Sequence, residues 1–116
     1  MDQLDQDVLA RLRKTRDQEL LAKLTELFLE DAPYQLEALR EAIRVGDAPR
    51  VERVAHTLKG SSGHLGALRM STICVELQDV GHRGELERAP VLVERLGAEF
   101  GRVRTALETE IEHTRG

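Results

Sequence analysis

Apolar residues recur every three or four positions along nearly the whole chain, the spacing of one face of an α-helix rather than the alternation of a strand. The longest run is Leu21, Leu24, Phe28, Ala32, Leu36, Leu39 and Ile43. A second run holds Val51, Val54, Ala55, Leu58, Ser62 and Leu65, and a third Met70, Ile73, Leu77 and Val80. The last is Leu92, Leu96, Phe100, Val103, Leu107 and Ile111. Four long amphipathic helices with short connections predict an all-α fold, an antiparallel up-and-down four-helix bundle. At 116 residues the chain has room for one such domain, residues 1–116, and not for two. Only 3% of the residues are aromatic (Phe28, Tyr34 and Phe100), too few for a β-sandwich or barrel. Charged residues make up 33%, but they nearly cancel to a net charge of −4, so the chain is expected to fold rather than stay disordered.

Local signals place the helix ends. Asp5 is a plausible N-cap for a short first helix, with Leu4 and Leu9 spaced as a hydrophobic staple and Val8 and Leu12 on the same face. This helix is expected to pack as a lid. Thr15-Arg16-Asp17-Gln18 reads as a capping box opening the second helix. Pro33 lies inside that helix, yet the stripe keeps its phase across it, which predicts one long kinked helix. Gly46-Asp47 closes it, Asp47 caps the third helix, and Pro49 stands in a first turn where a missing N–H is harmless. The third helix should end near Gly66, the fourth at Gly81 or Gly84, and the fifth should start around Pro90. Gly97 and Gly101 each cost the fifth helix about 1 kcal/mol relative to Ala, so packing must hold it.

The third helix departs from an ordinary bundle helix. In His56-Thr57-Leu58-Lys59-Gly60-Ser61-Ser62-Gly63, two glycines stand four and seven residues after His56 and share its face. The core stripe lies on the other side, so His56 should be exposed next to a surface cleared of side chains. Such glycines weaken a helix, and local violations of this kind concentrate at functional sites. An exposed imidazole is a nucleophile near neutral pH. A phosphoryl group on its outer nitrogen would be screened by Lys59 one turn away. Gly60 and Gly63 would leave room for that group and for a second protein. The inner nitrogen needs a fixed acceptor, for which Gln78 on the following helix is suited.

The segment from Ala55 through His56-x-x-Lys59-Gly60 to Gly66 resembles the signature of histidine-containing phosphotransfer (HPt) domains. Phe28-Leu29-Glu30 and Leu39-Arg40-Glu41-Ala42-Ile43 are similar to that family's preceding helix, and Gly46-Asp47 to its connection. Cys74-Val75-Glu76-Leu77-Gln78 is similar to the helix that follows. The resemblance spans about residues 17–108. It implies reversible phosphoryl transfer between a receiver-domain aspartate and His56, with Lys59 stabilising the phosphate charge and Gln78 orienting the ring. The partners implied are response-regulator receiver domains or a hybrid sensor histidine kinase, met through Arg53, Gly60, Gly63 and His64. Arg50, Arg53, Lys59 and Arg69 would complement an acidic receiver pocket. The chain would be a monomeric phosphotransfer intermediate with no cofactor and no ATP-binding or kinase domain of its own. Starting at Met1 favours a free-standing shuttle.

Other readings carry less. A sensor-kinase dimerisation helix typically has an acidic residue after its histidine and then a proline, whereas Thr57 and Lys59-Gly60 follow here. An unphosphorylated helical protein-interaction bundle is the alternative from another class. His64, two turns after His56, reads as a docking or structural residue. Glu110 with His113 and Asp79 with His82 echo metal-site spacing without an inward Glu pair, so no metal is assigned. The single cysteine, Cys74, rules out an internal disulfide and reads as a buried, inert thiol. A pI of about 5.6 and the lack of stacking aromatics argue against nucleic acid. No apolar run reaches the ~18 residues of a membrane span and no signal segment opens the chain, which points to a cytoplasmic domain.

Overall fold

The apolar stripes become helices with few changes. A computed structural model describes residues 4–14 and 18–115. The order is α1 (Gln6–Lys14), α2 (Gln18–Val45), α3 (Ala48–His64), α4 (Leu68–Arg83), a short 3-10 turn at Leu86–Arg88, and α5 (Ala89–Arg115). No strand occurs among the described residues. The four long helices pack in a ring, α2 on α3, α3 on α4, α4 on α5 and α5 back on α2, in a body of 45 × 22 × 21 Å. This is the up-and-down bundle that short antiparallel connections favour.

α2 runs unbroken through Pro33, one helix as the phase of its stripe required. Its buried line is Leu21, Thr25, Phe28, Ala32, Leu36, Leu39 and Ala42. Leu24, expected in that line, is instead 36% exposed, because Thr25 occupies the inward position and turns Leu24 to the flank. Ile43 packs against the core half-buried. Phe28 meets Phe100 edge-on at 5.8 Å, and Arg104 lies 4.8 Å over the Phe100 ring, so these aromatics fasten α2 to α5.

The helix ends follow the capping chemistry. Asp5 Oδ1 accepts from the Asp7 N–H at 2.9 Å and the Val8 N–H at 3.4 Å, while Leu4 and Leu9 are both buried. Thr15, Arg16 and Asp17 of the expected capping box lie outside the described residues, as does the side chain of Leu12. Asp47 Oδ1 accepts from the Arg50 N–H at 3.1 Å at the start of α3. The α3–α4 turn closes through the Leu65 and Ala67 N–H groups on the Ser62 carbonyl and passes through Gly66 at φ +75°. There the Asp5 N–H donates to the Gly66 carbonyl at 2.6 Å, so α1 is a lid seated on the turn that ends the histidine-bearing helix.

α4 ends at Gly84 and not at Gly81. Gly81 has a different task. A Cβ there would lie 2.6 Å from the Glu52 nitrogen and 2.9 Å from the Ala48 carbonyl oxygen. The two backbones touch at that point, which fixes the register of α4 against α3.

Candidate functional site

That register decides what faces His56. Near the start of α3, His82 Nδ1 lies 3.0 Å from Glu52 Oε2. Near its end, Gly63 faces Ser71, whose Oγ would be 3.7 Å from a Cβ at position 63. One helical turn up α3 from Glu52 is His56, and one turn back along α4 from His82 is Gln78, so the two stand opposite each other on the intervening rung. Gln78 is half-buried between the helices and His56 is exposed. No hydrogen bond joins them among the described contacts.

Around His56 the helix surface is prepared by small and self-satisfied residues. A Cβ on Gly60 would find no heavy atom within 4 Å, so the surface one turn after His56 is open. Thr57 Oγ1 donates to the Arg53 carbonyl at 3.2 Å and Ser61 Oγ to the Thr57 carbonyl at 2.8 Å, which turns both hydroxyls back onto their own helix. Ser62 is buried and donates to the Leu58 carbonyl at 2.7 Å, a polar residue absorbed into the core stripe. Lys59, three residues after His56, is half-buried, and its carbonyl accepts from Ser71 Oγ of α4 at 3.3 Å.

The residues assigned to the partner surface divide. Arg53 is exposed one turn before His56, and Gly60 is open beside it. Gly63 is turned toward Ser71 of α4, so it serves the helix–helix approach as well as the rim. His64 is exposed but stands roughly 80° around the helix from His56, on the side facing α2. There it lines a groove of about 630 Å³ with Gly60, Ser61, Leu24, Leu27 and Asp31. Leu27, 56% exposed, had no place in the sequence reading; its signal was an apolar residue one step off the α2 stripe. Arg69, grouped with the basic residues near His56, lies on the other flank of α4, against α5.

Two demoted constellations also find their places. His82 pairs with Glu52 and Asp79 with Arg83 (3.1 Å), and among the described residues no three His, Cys, Asp or Glu side chains gather as metal ligands. Cys74 is fully buried, and burial pushes its thiol up to about 12, so it stays protonated and unreactive. Among the described residues no helix is long and apolar enough to cross a membrane.

The same layout recurs in known proteins. A family model, the Hpt domain, matches residues 23–114, from α2 almost to the end of α5. The chain is 26% identical over 103 residues to histidine-containing phosphotransfer protein 1 of Arabidopsis thaliana, spanning 87% of this chain and 67% of that protein. The crystal structure of histidine-containing phosphotransfer protein B (HptB) from Pseudomonas aeruginosa PAO1 superposes with a TM-score of 0.90 at 36% identity, covering 96% of each chain. With this bundle, this histidine-bearing third helix and a match across most of its length, the chain belongs to the Hpt domain family.

Proposed function

We propose that this protein is a phosphorelay intermediate that accepts a phosphoryl group on His56 from the aspartyl phosphate of a receiver domain and passes it to another receiver. The observation that carries the reading is the open surface at Gly60 beside an exposed His56, mid-helix on a rigid bundle. The Nε2 lone pair of the neutral imidazole attacks phosphorus, and the P–O bond to the aspartate breaks with its electron pair returning to the carboxylate. Nδ1 keeps its proton throughout. Gln78, opposite His56 across the α3–α4 seam, offers its carbonyl oxygen to that N–H and so holds the tautomer with Nε2 outward. Lys59 draws near the added dianion and offsets its charge. Phosphoryl transfer relies on positioning and charge stabilisation, and a bundle this small supplies the mount while the receiver brings the remaining machinery.

The receiver docks across α2 and α3. Leu24 and Leu27 flank the groove with exposed apolar surface, and Arg53 and Lys59 complement an acidic pocket. The reading takes the chain as a monomeric cytoplasmic shuttle with no kinase activity of its own. Incubation with a receiver carrying a labelled aspartyl phosphate tests it. Label should move to this chain as an acid-labile, alkali-stable phosphate and should fail to reach the His56→Gln variant. Binding of the receiver without any transfer of label would instead identify an unphosphorylated interaction bundle.

A further inference from the structure

On the flank of α4 away from His56, α4 and α5 enclose a second groove of about 500 Å³. Its floor holds Glu99, a carboxylate only 3% exposed in a helix otherwise facing the core or solvent. Glu99 Oε2 accepts from Arg102 Nε at 3.0 Å and Nη2 at 2.8 Å. Its Oε1 is buried and has no partner among the described residues. The two hydrogen bonds to Oε2 hold the Arg102 guanidinium at the groove, while Oε1 lies beneath its surface.

The rim supplies the rest of a binding pattern. Arg69 and Arg95 line the groove beside Arg102, and neither forms an ion pair among the described residues. This basic cluster stands on a chain whose net charge is −4. Leu68 is 51% exposed at one end, and Ile73 lies half-buried at the wall. The groove therefore lacks carboxylates for two guanidiniums and apolar cover for Leu68. A small molecule is a poor fit, since ligand pockets bury most of their ligand and this rim is largely exposed.

We propose that this groove docks an acidic, apolar-containing segment of a partner protein, with Asp or Glu side chains on Arg69 and Arg95 and an aliphatic side chain on Leu68 and Ile73. Ser71 bonds to Lys59 on the α3 side of α4, whereas Arg69 and Ile73 line the α5 side, so the segment leaves His56 uncovered. The site does not depend on phosphotransfer, and it would tether the protein to a partner while His56 remains free for receivers.

The test titrates the isotope-labelled full chain with a short synthetic peptide in which Leu alternates with Asp and Glu. Saturable shifts should cluster at residues 68–73 and 95–102 and leave His56 and Leu27 unmoved. The Arg69→Glu, Arg95→Glu double variant, checked for an unchanged circular dichroism spectrum, should bind about tenfold more weakly. Labelled phosphate should reach His56 in that variant as in the parent. Any of four results overturns the proposal: no saturable binding, shifts confined to the α2–α3 groove, equal binding of a peptide with Ser in place of Leu, or occupation of the groove by a second copy of the chain.

Discussion

Gly60 allows stability and function to be separated at one position. Because a Cβ there meets nothing within 4 Å, Gly60→Ala introduces no clash and gains the full helix preference of alanine, about 1 kcal/mol. For a domain of this size that gain raises the melting temperature by roughly 4 °C. Transfer should change little, since one methyl group still leaves the surface beside His56 low. Gly60→Gln keeps good helix propensity but projects a long side chain into the space that the proposed transfer assigns to phosphate and receiver. Crowding a packed contact costs about 1–3 kcal/mol, which as a rate is a loss of roughly 5- to 150-fold. Urea unfolding followed by circular dichroism reads the first effect, and labelled transfer from a phosphorylated receiver reads the second. Two results would refute the reasoning: Gly60→Ala less stable than the parent, or Gly60→Gln transferring at the parent rate.

Gly81→Ala should behave in the opposite way, because its methyl would stand 2.6 Å from the Glu52 nitrogen. Backbone cannot yield cheaply there, so a net loss of about 2 kcal/mol is expected despite the better helix former, measured as a lower urea midpoint. Lys59→Ala should slow transfer about tenfold and leave the unfolding free energy within about 0.5 kcal/mol, which separates charge stabilisation from packing. Cys74 gives a pH dependence with a definite sign. Its thiol titrates near 9.0 when free and about 12 in the fold, so above pH 9 the unfolded chain releases a proton that the native state retains. Stability present below pH 9 is then lost at up to about 1.4 kcal/mol per pH unit as pH rises toward the folded value. Unfolding midpoints on either side of pH 9 should diverge between the parent and Cys74→Ala; parallel curves would show the thiol to be accessible.

Most of the bundle could be read from spacing, since the stripes on α3, α4 and α5 recur as buried faces and Asp5 and Asp47 cap where their side chains suggest. What spacing missed was which of two neighbours turns inward. Leu24 and Thr25 both fit a helical period, and the polar one is buried while the apolar one borders the α2–α3 groove, a choice made by the packing of α2 on α3. Gly81 was legible as a glycine but not as a backbone contact, because its meaning depends on a helix thirty residues away in sequence. His56 and Gly60 were legible because a glycine on a solvent face has no structural benefit to explain it. Gly63 looked equivalent by spacing, yet it turns toward Ser71, a distinction only the position of α4 makes. Arg69 was near His56 in sequence and far from it in the bundle, for the α3–α4 turn sends consecutive residues to opposite flanks.

The sharpest measurement is the site of phosphorylation itself. After incubation with a phosphorylated receiver, proteolysis at alkaline pH and mass spectrometry should find one phosphoryl group, on the peptide containing His56. Fragmentation should place it on that residue and on neither His64 nor His82, both of which are exposed and serve as internal controls. A phosphoryl group on either of those histidines, or none on any, would contradict the assignment of His56 as the acceptor.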